Sequence, residues 1–124
     1  MEEKGSVLIV NDNTSLCRTL SFVLRRKGFD AALAKDGLEA IERVRERSFD
    51  MILMDIKMPL LNGVETYRRI KEIRPGAAVL MMTAYSVEDL VREALEEGAY
   101  GIVYKPLDIE KVISLIERAR EPKP

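Results

Sequence analysis

The sequence predicts an α/β fold in which five parallel strands form one doubly wound sheet with helices on both faces. Three observations support this prediction. The chain has 124 residues, of which 47% are hydrophobic, which suits one core and would leave two domains cramped. Five short apolar runs alternate with five segments of helical periodicity. Because crossovers between parallel strands are right-handed in nearly all cases, this repeated strand-helix order gives an open sheet.

The strands are predicted at short apolar runs, each of which is too short to form a helix. Runs that are apolar at every position are typical of strands covered on both faces in a parallel sheet, whereas a strand with one wet face would alternate. The run at 31–34 is weaker than the others. In chain order the predicted strands cover residues 7–10, 31–34, 51–54, 79–82 and 102–104.

The helices are predicted from apolar residues three or four positions apart, which form one stripe along a helix. Asn13 and Thr14 are candidate caps of the first helix, which stops at Gly28, and the third helix ends at 75–76, a Pro-Gly pair. The stripes of the first three helices are Leu16, Leu20, Val23 and Leu24, then Leu38, Ile41 and Val44, then Val64, Tyr67, Ile70 and Ile73.

The last two helices carry clearer capping signals. The fourth is predicted to begin at Ser86, whose Asp89 three residues later resembles a capping box, and to end at Gly98. Asp108 is interpreted as the cap of the fifth, and Asp36 as another turn or cap residue. The two stripes are Leu90, Val91, Ala94 and Leu95, then Ile109, Val112, Ile113 and Ile116.

The composition excludes several kinds of site and partner. Lys and Arg total 20 and Asp and Glu total 21, so the net charge of -1 favours neither nucleic acid nor an anionic membrane surface. With no His, Ser-His-Asp and Cys-His chemistry and His-containing metal sites are excluded, and the single Cys17 excludes an intramolecular disulfide. No apolar run approaches the ~20 residues that span a bilayer. We expect a cytoplasmic protein with one domain at 1–121 and a tail at 122–124, without direct nucleic-acid or membrane binding.

Polar side chains follow the apolar runs at the points where the strands end. Asn11 and Asp12 follow the first run, Asp55 the third, Thr83 the fourth and Lys105 the fifth. In an open α/β sheet the ligand crevice lies outside the carboxyl ends of the strands, so these side chains should converge there. Two carboxylates, an amide, a hydroxyl and an ammonium form an all-oxygen cation site with an adjacent anion clamp. Such a set favours Mg²⁺ and a phosphorylated ligand.

These residues closely resemble a known family, the response-regulator receiver domains, over roughly residues 6–120. The Asp-x-x-Met-Pro motif, followed by Gly and then by Thr and Lys-Pro at strand ends, is far more specific than any single motif. The resemblance implies a flavodoxin-like sheet with strand order 2-1-3-4-5. The matching segments are Val7-Leu8-Ile9-Val10-Asn11-Asp12, Met54-Asp55-Ile56-Lys57-Met58-Pro59 through Asn62-Gly63, Thr83-Ala84 and Tyr104-Lys105-Pro106.

By this resemblance Asp55 is the phosphoacceptor, which attacks the phosphoryl group of a sensor histidine kinase's phosphohistidine, of a phosphotransfer protein or of a small donor such as acetyl phosphate. Asp12, Asp55 and the backbone carbonyl of Lys57 would hold Mg²⁺. Lys105 would pair with Asp55 or its phosphate. The family is a signalling domain that assists its own phosphorylation and dephosphorylation rather than an enzyme.

The resemblance also implies a switch. Thr83 would bond a phosphoryl oxygen and draw its loop inward, so that Tyr104 changes rotamer and reshapes the face of helix 4, strand 5 and helix 5. That face would control a downstream effector or output domain, and a homodimer linked to phosphorylation is a further expectation. Both a stand-alone regulator and part of a longer chain fit the sequence.

Four further positions follow the family pattern around the pocket. Pro106 holds Lys105 extended, and in this family the peptide bond between them is typically cis. Ala84 is small enough to leave room for a phosphoryl group. Lys57 and Tyr85 occupy positions that in this family tune how long the phosphate lasts.

Asn11 departs from the family pattern, because receivers usually carry two acidic residues after the first strand. The missing acid normally contacts Mg²⁺ through water. A unit charge at roughly 5 Å from the ion is worth ~2 kcal/mol at the dielectric constant of water and ~7 kcal/mol at an effective value of 20, and a bridging water favours the lower figure. Asn11 keeps a carbonyl acceptor for that water. We expect Mg²⁺ affinity to be about 10- to 100-fold lower than with Asp.

Other functions fit the residues less well. Asn11 alone supports a pseudo-receiver, which would bind partners without being phosphorylated. An aspartyl phosphatase would need a second acid two residues after the nucleophile, where this chain has Lys57, and a flavin-binding protein would need a hydroxyl-rich loop at 11–13.

Several residues have a simpler structural interpretation. Taken alone, Tyr104 is more often a core residue than a switch. Cys17 is expected to be inert, and the cluster at 25–27 to be a solvated helix face or, less often, a docking patch. The methionines are interpreted as gap-filling core residues rather than metal ligands, namely Met51, Met54, Met58, Met81 and Met82.

Overall fold

A computed structural model describes residues 5–84 and 87–121. Within these residues five strands alternate with five helices. The strands are β1 (Ser6–Val10), β2 (Asp30–Ala34), β3 (Met51–Asp55), β4 (Val79–Thr83) and β5 (Gly101–Tyr104). The helices are α1 (Thr14–Arg26), α2 (Gly37–Glu46), α3 (Gly63–Ile73), α4 (Glu88–Glu96) and α5 (Ile109–Arg120).

The strands form one parallel sheet in the order β2-β1-β3-β4-β5. The predicted α/β class and the strand order 2-1-3-4-5 are therefore confirmed. The strand order changes direction at β1, because β2 lies on one side of β1 whereas β3, β4 and β5 follow on the other. A ligand crevice is expected at this switch point, outside the carboxyl ends of β1 and β3.

The strands are apolar at every position because the sheet has a core layer on each face. Leu8 and Val10 of β1 pack in one layer with residues of α2, α3 and α4. Val7 and Ile9 pack in the other layer with residues of α1 and α5. Alternate residues of β3 divide between the layers in the same way. All five methionines interpreted as core residues are buried, which confirms that interpretation.

Side-chain caps begin four of the helices, and they fix where each helix leaves the carboxyl end of its strand. Asn13 caps α1 by accepting from the backbone N–H of Leu16 at 3.1 Å, as predicted. Asp36 and Asp108 cap α2 and α5 in the same way. At α3, Asn62 and Glu65 form a reciprocal capping box.

The start of α4 differs from its prediction. The helix begins at Glu88, with Val87 in the capping position and no capping hydrogen bond from its side chain. Ser86, the predicted cap, lies outside the described residues. Glu88 and Asp89 in the first turn place negative charge where the helix dipole favours it.

Two leucines predicted for buried stripes are exposed. Leu38 is 48% exposed and Leu95 is 51% exposed, so both assignments were wrong. The buried stripe of α2 starts at Gly37 and that of α4 is centred on Ala94. Because successive helical residues are about 100° apart, a residue next to the buried one turns toward solvent. Among the described residues, every helix is too short or too polar to cross a membrane.

Candidate functional site

The register of β1 and β3 places the first polar residues of the site side by side. Val10 pairs with Met54, so the chain continues into Asn11 and Asp12 next to Asp55, the last residue of β3. Adjacent strands lie about 4.8 Å apart, which makes Asn11 a direct neighbour of Asp55. Asn11 is buried and Asp12 is exposed.

The other side of β3 supplies the remaining polar residues. Asp55 pairs with Met82 of β4, and the next residue, Thr83, pairs with Tyr104 of β5. Lys105 follows β5 directly and donates its backbone N–H to the carbonyl of Thr83 at 2.8 Å. The structure therefore brings all five predicted polar positions to one edge of the sheet.

A cleft of ≈ 190 Å³ opens at this edge. Asp55 and Lys105 lie on its walls, whereas Asn11 and Asp12 lie outside its lining. The residues that line it are Asp55, Lys57, Thr83, Ala84, Val87 and Lys105.

The centre of the cleft is an ion pair. The Nζ of Lys105 lies 3.2 Å from Oδ2 of Asp55, whose side chain is only 10% exposed. The backbone N–H of Lys57 makes a long hydrogen bond of 3.4 Å to the other oxygen, Oδ1. The peptide bond between Lys105 and Pro106 is cis. A nearly buried carboxylate, on a residue that lines the cleft, is thus held by one cation and one N–H.

The pKa of the Cys17 thiol is affected by both carboxylates of the site. Burial raises the pKa of the Cys17 thiol, and the negative charge of Asp12 and, more weakly, of Asp55 raises this pKa further. The Sγ of Cys17 also donates to the backbone carbonyl of Asn11 at 3.3 Å, a hydrogen bond that favours the protonated thiol. Asp12 and Asp55 therefore act on one buried thiol, and this thiol stays protonated at neutral pH, in line with an inert Cys17.

The Asn11 side chain is oriented by the turn that follows it. Its Oδ1 accepts from the backbone N–H of Asn13 at 2.9 Å. Its Nδ2 is buried and, among the described residues, has no hydrogen-bond partner. The Oδ1 atom that is expected to serve a metal-bound water keeps a second acceptor position beside this bond, while the group without a partner is the donor Nδ2.

The two predicted switch residues occupy different environments. Thr83 is buried, and its Oγ1 donates to the adjacent carbonyl of Ala84 at 2.6 Å rather than to Asp55. Tyr104 is 46% exposed, so its interpretation as a core residue was wrong. Tyr85, predicted to flank the pocket, lies outside the described residues.

Two features were not predicted from the sequence, one residue of the cleft and one backbone conformation in the loop after β3. Val87 lines it from the start of α4, and no motif or apolar stripe marked this residue. In the loop after β3, Leu60 has φ 69° and is 77% exposed, which is uncommon for a residue other than glycine. A leucine in the sequence does not indicate that its backbone adopts this conformation.

The donors at this edge suit a hard cation. The described residues contain no cluster of three His, Cys, Asp or Glu side chains that could hold a metal. A cation here would rely on the carboxylates of Asp12 and Asp55, on the backbone carbonyl of Lys57 and on water. An all-oxygen set with one or two carboxylates is what Mg²⁺ takes when it also binds phosphate oxygens, so the residues fit this ion.

The fold and the site together define a flavodoxin-like domain with a carboxylate-lysine cleft at its switch point. Residues 7–117 match the family described as response regulator receiver domain. The chain is 46% identical over 110 residues to the transcriptional regulatory protein ZraR of Klebsiella oxytoca, a match that covers 89% of this chain and 25% of that protein. It is 41% identical over 113 residues to the protein of that name from Escherichia coli strain K12, covering 91% and 26% of the two chains.

A solved structure shows the same architecture. A response regulator receiver domain protein from Clostridium thermocellum superposes with a TM-score of 0.87 at 28% identity, covering 92% of each chain. The chain therefore belongs to the response-regulator receiver domain family and is the receiver domain of a two-component response regulator, a signalling domain. It spans about a quarter of the length of the curated relatives named above.

Proposed function

We propose that this receiver accepts a phosphoryl group on Asp55 and thereby switches a partner or output domain. The observation that carries the proposal is the nearly buried Asp55 carboxylate, which faces a cleft and lies 3.2 Å from Lys105. A carboxylate in such a place is costly unless it has a partner and a use. The cation that balances it can equally balance the oxygens of a phosphoryl group.

The reaction is a displacement at phosphorus. A carboxylate oxygen of Asp55 forms an O–P bond while the P–N bond of phosphohistidine breaks, and the electron pair stays on the imidazole nitrogen. With acetyl phosphate the P–O bond breaks and acetate leaves. Lys105 stabilises the negative charge on the transferring group, and the backbone N–H of Lys57 orients the acceptor carboxylate.

Asp12, Asp55 and the carbonyl of Lys57 are the residues that would hold Mg²⁺, with Asn11 contributing through water. When bound, the ion supplies positive charge that offsets repulsion between the carboxylates and the incoming phosphoryl oxygens. Asp12 is exposed and can bind a cation from solvent without rearrangement of the core.

The switch we propose starts at Thr83. Its Oγ1 now donates to the carbonyl of Ala84, and a phosphoryl oxygen on Asp55 would compete for that proton. Because Thr83 of β4 pairs with Tyr104 of β5, a displacement of the end of β4 would also displace the end of β5. Tyr104 is half exposed on the face that includes α4 and α5, which is where a partner would detect the change.

The partners we infer are a sensor histidine kinase or phosphotransfer protein upstream and an effector or output domain downstream, in the cytoplasm. A homodimer linked to phosphorylation is part of the same proposal. We assign no direct nucleic-acid or membrane binding to this domain, in keeping with its net charge of -1.

Intact-mass spectrometry after incubation with acetyl phosphate and Mg²⁺ tests the proposal. Wild type should gain one phosphoryl group, and Asp55→Asn should gain none. Asp36→Asn is a matched control, since it also replaces a carboxylate by an amide but preserves the cap of α2. It should be phosphorylated like wild type. If wild type gains nothing from acetyl phosphate or from a histidine kinase, the domain acts as a pseudo-receiver and the proposal fails.

A further inference from the structure

Asn11 is a buried polar residue beside the acceptor carboxylate with one unused group. It is 1% exposed, and its Nδ2 has no hydrogen-bond partner among the described residues. The backbone N–H of Asn13 donates to Oδ1 of Asn11, and this bond fixes the orientation of the amide. If the amide were flipped, its NH₂ group would face the N–H of Asn13, so two donors would oppose each other. Nδ2 is therefore the atom without a partner. A buried donor without a partner is costly, and an oxygen atom from water or from a ligand at the site would satisfy it.

The charge of the site points the same way. Two carboxylates, Asp12 and Asp55, lie at this edge with the ammonium groups of Lys57 and Lys105, and Lys105 pairs with Asp55. An aspartate at position 11 would add a third carboxylate, buried beside Asp55. Every negative charge placed here attracts a cation and repels an anion, so residue 11 acts on the two ligands in opposite directions.

We propose that Asn11 tunes this receiver toward the anion: it lowers affinity for Mg²⁺ and raises the affinity of the Mg²⁺-saturated site for a phosphoryl-like anion, relative to aspartate. The inference rests on the proposed function, since it takes a phosphoryl group at Asp55 as the anion. Two properties of Asn11 contribute. It adds no charge, and its free N–H group is a donor to an anionic oxygen, whereas a carboxylate would offer only acceptors.

Coulomb's law gives the size of the effect. One elementary charge at about 5 Å from a monoanion changes the binding constant about fourfold at the dielectric constant of water, and more where water is partly excluded. For the divalent cation the same charge acts twice as strongly. The expected loss of Mg²⁺ affinity, about 10- to 100-fold, is therefore accompanied by a gain in anion affinity of about fourfold or more.

The test is a pair of calorimetric titrations on wild type and Asn11→Asp. The probes are Mg²⁺ alone and then fluoroberyllate, an anion that mimics a phosphoryl group on a carboxylate, at Mg²⁺ concentrations that saturate each protein. Asn11→Asp should bind Mg²⁺ about 10- to 100-fold more tightly and fluoroberyllate about fourfold or more weakly. Asn13→Asp is the matched control, because it adds the same charge on the same loop at an exposed cap where Asp is as good as Asn. It should change each constant less than about twofold.

Thermal unfolding provides a second readout that needs no anion. The added carboxylate should lower the Tm of Asn11→Asp in the absence of metal, and Mg²⁺ should raise its Tm more than that of wild type. If Asn11→Asp folds only when Mg²⁺ is bound, that result also agrees with the expected loss of stability in the absence of metal. The fluoroberyllate titration of such a variant can still be carried out, because Mg²⁺ is present throughout.

The outcomes separate the two proposals. If wild type fails to bind fluoroberyllate with Mg²⁺ present, or if Asp55→Asn binds it as tightly as wild type, phosphoryl acceptance at Asp55 is wrong. If wild type binds and Asn11→Asp binds equally or more tightly, Asn11 does not favour the anion and the inference is overturned. It is also overturned if Asn13→Asp reproduces the changes, because the effect would then not belong to position 11.

Discussion

The first residue of α3, Gly63, lies against the backbone carbonyl of Asp55. A Cβ on Gly63 would be 2.8 Å from that oxygen and 2.8 Å from the Cα of Ile56. The backbone N–H of Gly63 also donates to the carbonyl of Ile56 at 2.8 Å. This close approach holds the end of β3, and with it the Asp55 carboxylate, against the start of α3.

Gly63→Ala should therefore destabilise the fold and displace the site. The atoms that the new methyl group meets are mostly backbone, which cannot move aside like the end of a flexible side chain. We expect a loss of about 1–3 kcal/mol in the free energy of unfolding, the usual range for overpacking. Urea denaturation measures it, and slower phosphorylation by acetyl phosphate would report the displaced Asp55.

Gly76→Ala is the control for that substitution. A Cβ at Gly76 would have no heavy atom within 4 Å, and its φ lies outside the left-handed region. Its effect should stay within about 1 kcal/mol, and a small gain is expected because alanine restricts the unfolded chain. Equal losses at Gly63 and Gly76 would mean that the contact with Asp55 is not the cause.

The sequence predicted the sheet well because burial on two faces leaves a strong pattern. Strands such as 7–10 and 51–54 have no polar position, and few other structures demand that. The meeting of Asp12, Asp55 and Lys105 was predictable for a topological reason, since the carboxyl ends of parallel strands share one edge. Only the general rule was needed, and no side-chain geometry.

The features that could not be predicted depend on contacts between residues whose relative positions are set only in the folded structure. The burial of Leu38 and Leu95 depends on a rotation of about one residue in a helix, which periodicity leaves open. The orientation of the Asn11 amide is set by one hydrogen bond from Asn13, formed only once the turn is closed. Val87 lines the cleft from the capping position of α4, outside any apolar stripe that the sequence could show.

The capping box of α3 should be worth about 1 kcal/mol. Asn62 accepts from the backbone N–H of Glu65 at 2.9 Å, and Glu65 accepts from that of Asn62 at 3.0 Å. Asn62→Ala removes the first bond and should lower the free energy of unfolding by about 1 kcal/mol, whereas Asn62→Asp keeps an acceptor and should change it by a few tenths at most. Urea denaturation compares the variants. Equal losses in both would argue that the cap is not what stabilises this turn.

Cys17 should react slowly with thiol reagents in the folded protein. It is 4% exposed, and burial, together with the negative charge of Asp12, raises the pKa of its thiol. Because the thiolate is the reactive form, labelling at neutral pH should be at least about tenfold slower in the native protein than in urea. Since Cys17 is the only cysteine in the chain, Cys17→Ser is a complete blank. Labelling at the same rate in both conditions would contradict the burial of this thiol.

Glu97 should make stability depend on acid pH. It lies at the end of α4, where Oε1 is 2.8 Å from Nε of Arg68 and Oε2 is 3.0 Å from Nζ of Lys71, both on α3. The hydrogen bond from Arg68, followed by that from Lys71, lowers the pKa of Glu97 below its ordinary value of 4.5. A lowered pKa in the folded state stabilises the fold above pH 4.5, and this contribution is lost as the pH falls through the lowered value.

Glu97→Gln should therefore be less stable than wild type at neutral pH, and the difference should shrink as the pH falls below 4.5. The loss at neutral pH should be small, because exposed ion pairs contribute little. Urea denaturation from pH 7 downward measures the difference, with high salt expected to reduce it as well. Glu96→Gln is the matched control, since Glu96 is the exposed neighbour on the last turn of α4. If the difference between wild type and Glu97→Gln stays constant or widens on acidification, the ion pairs to Arg68 and Lys71 do not stabilise the junction of α3 and α4.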